Sequence, residues 1–117
     1  MRRAYHISGR HNRESIFRDG LRLCEPVNDA QRSGAAPCHL WIFLAIQDAR
    51  RFLGAGWGGA AGQNDLWEVD IEGYEVLPDP HPAFPDYRTN AVVTTPVPPD
   101  RVCLFYLQPS ALQDAVR

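Results

Sequence analysis

His6 and Ser8 stand two residues apart in the run Tyr5-His6-Ile7-Ser8. Successive side chains of a strand point to opposite faces, so residues i and i+2 share one. A strand here therefore presents an imidazole and a hydroxyl side by side, a pair that can hold a ribose or a phosphate. Other chemistries find less support. Cys24, Cys38 and Cys103 are odd in number and lack CxxC spacing, which argues against a disulfide framework or a tetrahedral zinc site. None of them sits in an activating context, and Ser8 lacks the glycine pattern of a nucleophile elbow. His39 before an apolar run and His81 among prolines have no ligand partners at helical or hairpin spacing, so no metal is expected. All 12 basic residues are arginine. That fits codon bias in a GC-rich genome as well as selection for arginine chemistry, and it excludes lysine Schiff bases and P-loop lysines.

The elements that must position these groups follow from local pattern. Ala4–Ser8 predicts a first strand and Gly9–His11 a turn. Asn12 is a plausible N-cap for a helix over Arg13–Asp19 that Gly20 closes with a left-handed cap. Ile16, Phe17 and Leu21 supply its apolar stripe, as in any packing helix. Cys24–Pro37 reads as loop. His39–Leu44 is a continuous apolar run, a buried strand, followed by a helix over Ile46–Leu53 with Ala49, Phe52 and Leu53 inward. Gly54–Gly62 holds five of the 9 glycines and Trp57. It is either a disordered connection or a flap over a site.

Leu66–Ile71 alternates apolar and acidic residues, the sign of a strand with one solvated face. Glu72-Gly73 makes a turn and Tyr74–Leu77 resumes as strand. Pro78–Pro85 carries four prolines and must be irregular and extended. Ala91–Thr94 and Val102–Leu107 predict two further strands around the Pro96–Pro99 turn, and the tail from Ser110 a last helical turn. The sum is an α+β fold with two early helices and a mostly antiparallel sheet. The 117 residues suffice for one domain, 1–117, and one core. A formal charge of −2 gives no broad basic face for nucleic acid. No signal peptide and no apolar run of about 20 residues is visible, so a soluble cytoplasmic protein is expected.

The same segments, in order, resemble a family. "YHISGRHNRESIFRDGLRL" looks like the opening of the ADP-ribosyltransferase superfamily: strand, histidine, small hydroxyl residue, then a helix. "HLWIFLAIQDARRFL" is similar to its second block, an apolar strand bearing an aromatic and a following helix. "DLWEVDIEGYEVLPDP" and "AVVTTPVPPDRVCLF" resemble the later strands of small bacterial or phage-type members. The resemblance implies a split, mostly antiparallel sheet and NAD as a substrate. Cleavage of the nicotinamide–ribose bond would then pass ADP-ribose to an acceptor. It assigns His6 to the nicotinamide-side ribose, Ser8 and Gly9 to the carboxamide, and Trp41 to the stacking position usually held by tyrosine. Read without the family, Trp41 is a core tryptophan.

The third signature position is usually a glutamate that stabilises oxocarbenium character. Counting back from Pro98 places Asn90 there; aligning on Tyr87-Arg88 gives Thr89. Neither is acidic. Among arginines near these strands, Arg10, Arg13, Arg50 and Arg51, the first choices for the pyrophosphate are Arg10 and Arg51. The leading expectation is an NAD-dependent ADP-ribosyltransferase with His6 and Asn90 at the reacting centre. Two others stay open: a catalytically impaired nucleotide-binding module, and an NAD-dependent RNA 2′-phosphotransferase. The acceptor is not specified.

Overall fold

A computed structural model of the chain describes residues 1–26, 29–54, 64–79 and 90–107. Among them β1 (Arg3–Gly9) leads through a single 3₁₀ turn, Arg10–Asn12, into α1 (Arg13–Asp19). A four-residue helix α2 (Asp29–Arg32) interrupts the expected loop, followed by β2 (Leu40–Phe43) and α3 (Ile46–Gly54). The remaining strands are β3 (Asn64–Asp70), β4 (Leu77–Pro78), β5 (Asn90–Val93) and β6 (Val102–Leu107), the last entered by a 3₁₀ turn at Pro99–Arg101. The expectations for residues 55–62, for 80–85, for Thr89 and for the tail from Ser110 lie outside the described residues.

The fold is α+β. Its six strands form one sheet in the order β4-β5-β2-β1-β3-β6, and every neighbouring pair is antiparallel. The joint at the centre is uneven. β1 pairs with β3 along its full length, from Arg3↔Asp70 to Gly9↔Asn64. With β2 it shares the single register pair Tyr5↔Phe43. The expected split is therefore a continuous sheet with one thin joint.

Alternation along the strands sorts the core into two clusters. Ile42, Trp67, Val69 and Val93 pack with Ile16 and Leu21 from the α1 side. Phe43 and Leu66 pack with Ala49 of α3, and Tyr5, Ile7 and Phe52 close around them. Helices on both sides of β3 bury Asn64, Asp65, Leu66, Trp67 and Val69, while Glu68 and Asp70 stay half-exposed as the alternation predicts. Asp65 tolerates burial because Arg13 of α1 grips it with two bonds, Nε to Oδ2 at 2.9 Å and Nη2 to Oδ1 at 2.8 Å. This fork-on-carboxylate geometry fixes α1 against β3.

Other expectations shift for local reasons. Phe17 is 56% exposed; α1 buries Ile16, and Phe17 only leans edge-on against Trp67, ring centroids 5.2 Å apart. Asn12 precedes α1 but makes no side-chain cap; its Nδ2 donates instead to Ser8 Oγ at 3.0 Å. Gly20 closes α1 at φ 77° and ψ −159°, positive in φ but outside the left-handed helical region. Immediately after it Leu21 exchanges backbone bonds with Val97, 2.8 and 3.0 Å. Tyr74–Leu77 does not return along β3. After the Glu72-Gly73 turn the Tyr74 hydroxyl donates to Pro96 O at 3.1 Å. The chain then reaches the far edge, where Leu77 and Pro78 pair with β5. An edge tolerates Pro78, which has no N–H to offer.

Three substitutions test this frame. Gly20→Ala drives a Cβ into the Val97 carbonyl at a positive φ, so urea unfolding should show a loss of at least ~1 kcal/mol. Arg13→Ala leaves the buried Asp65 carboxylate without its partner and should cost about 3–5 kcal/mol. Asp19→Ala, which removes the exposed pairs with Arg18 and Arg22, should leave the unfolding midpoint nearly unchanged in the same assay.

Candidate functional site

The thin joint is where the chemistry collects. In place of continued ladder bonds between β1 and β2, His6 Nδ1 lies 2.8 Å from the backbone oxygen of Trp41. A carbonyl only accepts, so Nδ1 must carry the hydrogen and Nε2 is left as an acceptor. Burial pushes the His6 pKa below the ordinary histidine value, and the bond to Trp41 only partly opposes it. The ring is neutral at neutral pH.

His6 and Trp41 together form a shared wall between two cavities. One, about 230 Å³, is mostly apolar, lined by Ile7, Ile42, Phe43 and Phe52, with Asp79 and Asn90 as its other polar groups. The other, about 330 Å³, is lined in part by Ser8, Asn12, Ser15, Arg22 and Cys24. Each alone lies near or below the lower end of roughly 300–1,000 Å³ for sites of drug-sized ligands. An extended ligand with an apolar ring at one end and polar groups at the other fits such a pair better than a compact one.

In the apolar cavity Asn90 Oδ1 is buried and has no hydrogen-bond partner among the described residues. A buried acceptor left unmade is costly, on the order of 1–3 kcal/mol. The Trp41 indole N–H donates to Asp79 Oδ1 at 3.2 Å, and the His39 ring meets Trp41 edge-on with centroids 4.4 Å apart. Trp41 is half-buried and lines both cavities.

No protein-family model matches this chain, and no curated protein matches it in sequence.

The structure gathers some expected site residues and separates others. His6, Trp41 and Asn90, from three distant segments, line one cavity. Ser8 lines the other. Gly9 is buried in the β1–β3 ladder, paired with Asn64, and lines neither. Arg10 and Arg51 also line neither; Arg51 is oriented toward Asp48, 4.0 Å away on the exposed side of α3. Arg13 is committed to Asp65. The arginine at a cavity wall is Arg22, which bonds Asp19 at 2.9 Å. Sequence reasoning did not single out Arg22 or Asp79, although both lie inside segments that carry the family resemblance, because nothing local marks either as lining a cavity. Asp79 enters only through the β4–β5 pairing. Among the described residues no group of three or more histidine, cysteine, aspartate or glutamate side chains could hold a metal. No helix there is long and apolar enough to cross a membrane.

The lowered His6 pKa gives a signed expectation. The unfolded chain takes up a proton near pH 6.5 while the folded chain resists it, so unfolding is favoured as pH falls. The His6 contribution is complete above about pH 6.5 and is lost on acidification toward the folded pKa. Asp19, held low by Arg18, and Asp70, held low by the Glu72 N–H, lose theirs only below about pH 4. Melting curves should show wild type losing stability between pH 7 and 5 more steeply than His6→Gln. Equal slopes would contradict the buried neutral imidazole.

Proposed function

We propose that the chain is an NAD-binding, ADP-ribosyltransferase-like domain that cleaves the nicotinamide–ribose bond and passes ADP-ribose to an acceptor. What carries this reading is the convergence of His6, Trp41 and Asn90 on one cavity. They are the three positions that the family resemblance selects, and they come from β1, β2 and β5.

Donor and acceptor chemistry supports it further. Unprotonated His6 Nε2 and unpaired Asn90 Oδ1 both accept, which suits a ribose with two hydroxyl donors. Trp41 offers an aromatic wall for the nicotinamide ring. In the second cavity Ser8 and Arg22 supply a hydroxyl and a guanidinium suited to a pyrophosphate. His6 orients the sugar, Trp41 the leaving ring, and the apolar walls exclude water from the glycosidic carbon.

A second reading, a nucleotide-binding module without turnover, draws on the uncharged amide of Asn90. Titration calorimetry with NAD separates these readings from unrelated functions. Binding should be measurable at millimolar NAD or below, and His6→Ala should weaken it roughly 2- to 12-fold, the loss of about 0.5–1.5 kcal/mol. Absence of any heat of binding at that concentration rejects both readings. Release of labelled nicotinamide then distinguishes the enzyme from the module, and a gain of release on Asn90→Glu favours the module.

A further inference from the structure

The two outer strands of the sheet are unlike. β4 is two residues long and ends on Pro78, which offers no N–H. Shortness and proline are among the features that keep an edge from pairing with another chain. β6, Val102–Leu107, is six residues long, with no proline and no charged side chain. Its inner side pairs with β3 from Val69↔Val102 to Asp65↔Leu107, and among the described residues no strand lies along its outer side. Outward N–H and C=O groups on such a strand are a template for one more strand. The side chains are open too. Cys103 is exposed, and Phe105 and Tyr106 are 45% and 46% exposed. Tyr5 continues the aromatic surface onto the sheet, its ring centroid 6.1 Å from that of Phe105. A register shift between Leu66 and Trp67 leaves Phe105 without a partner on β3, but Val102, Cys103 and Leu104 pair regularly. No described β6 side chain lines either cavity.

We propose that two copies of the chain form a twofold dimer by antiparallel pairing of β6 with β6, joining their sheets into one. Identity of the two strands is what favours a second copy over another partner. About a twofold axis each strand meets its own surface, so a charge on it would be brought near like charge. β6 carries none, and its exposed aromatic rings meet aromatic rings. Backbone bonds across the axis satisfy the outward groups of both strands at once. The joined sheet then has β4 at each end, and Pro78 blunts both. Pairing therefore stops at two copies rather than running on into a fibre. It is independent of the proposed function.

Analytical ultracentrifugation of the full chain tests the pairing, with reductant present so that no disulfide through Cys103 contributes. The contact is small, so wild type should dimerise with a Kd of about 1–100 µM and dissociate on dilution. Amide exchange should slow along β6 as concentration rises, with β4 unchanged. Cys103→Lys and Tyr106→Lys each set like charges near the axis and should weaken association at least ~10-fold. Cys103→Ser, which adds no charge, should associate like wild type. Thermal melts of the dilute proteins check that the lysine variants fold, and the exchange measurement on wild type needs no variant. A wild-type chain that stays monomeric above the upper end of that range overturns the proposal, even if it takes up an unrelated extended peptide. A dimer whose β6 exchange does not change with concentration, or that both folded lysine variants form with the wild-type Kd, overturns β6 as the interface. Species that grow beyond the dimer overturn the closure at two.

Discussion

The His6–Trp41 contact is the constraint on which the rest of the site depends. An antiparallel pair normally satisfies its backbone groups strand to strand. Here β1 gives that up beyond Tyr5↔Phe43, and a side chain satisfies the Trp41 carbonyl instead. Three consequences follow from one bond. The strands separate, which opens space at the middle of the sheet. The imidazole takes a single tautomer, because the carbonyl cannot donate. The remaining nitrogen, on a ring kept neutral by burial, becomes an acceptor lining that space.

A thin joint is tolerable only if each half of the sheet is secured by other means. On the β1 side, β3 pairs along the whole strand and is bound to α1 through the buried Arg13–Asp65 fork. Buried ion pairs contribute little net stability compared with apolar packing, but they strongly disfavour arrangements that separate the partners. The pair thus sets where α1 lies. Gly20 and the Leu21–Val97 bridge then hold the far end of α1 to the segment leading into β6. On the β2 side, β5 pairs from Leu40↔Val93 to Phe43↔Asn90 and carries Asn90 to the cavity. Asn90 is therefore positioned by ladder bonds rather than by a loop.

Much of this was legible in the sequence, for identifiable reasons. β1, β2, β5 and β6 were readable within a few residues because buried strands need apolar, β-branched runs whatever their partners. His6 and Ser8 could be placed on one face from spacing alone. Long-range pairing was not readable. The alternation in Leu66–Ile71 is real, yet Asp65 just before it is buried because Arg13, 52 positions away, neutralises it. Phe17 fits a helical stripe by spacing, but α1 is too short to bury both Ile16 and Phe17. Which arginines line the described cavities was not readable for the same reason. Arg10 and Arg51 are near the right strands in sequence, whereas Arg22 lines a cavity after the turn that Gly20 imposes. Asp79 required knowing that β4 crosses to the outer edge and pairs with β5.

Sharing one wall between two unlike cavities has a chemical consequence of its own. Ligand groups on either side of His6 and Trp41 are held by the same pair of residues, so any shift of that wall alters both cavities together. The neutral imidazole suits this position better than a charged one. An imidazolium would repel a cationic ring on the apolar side and would have no nitrogen left to accept from a hydroxyl. Burial alone secures the neutral form, without a carboxylate partner that would raise the pKa and reverse the selection. The Asp79 carboxylate on the apolar side is bonded to the indole rather than to the imidazole.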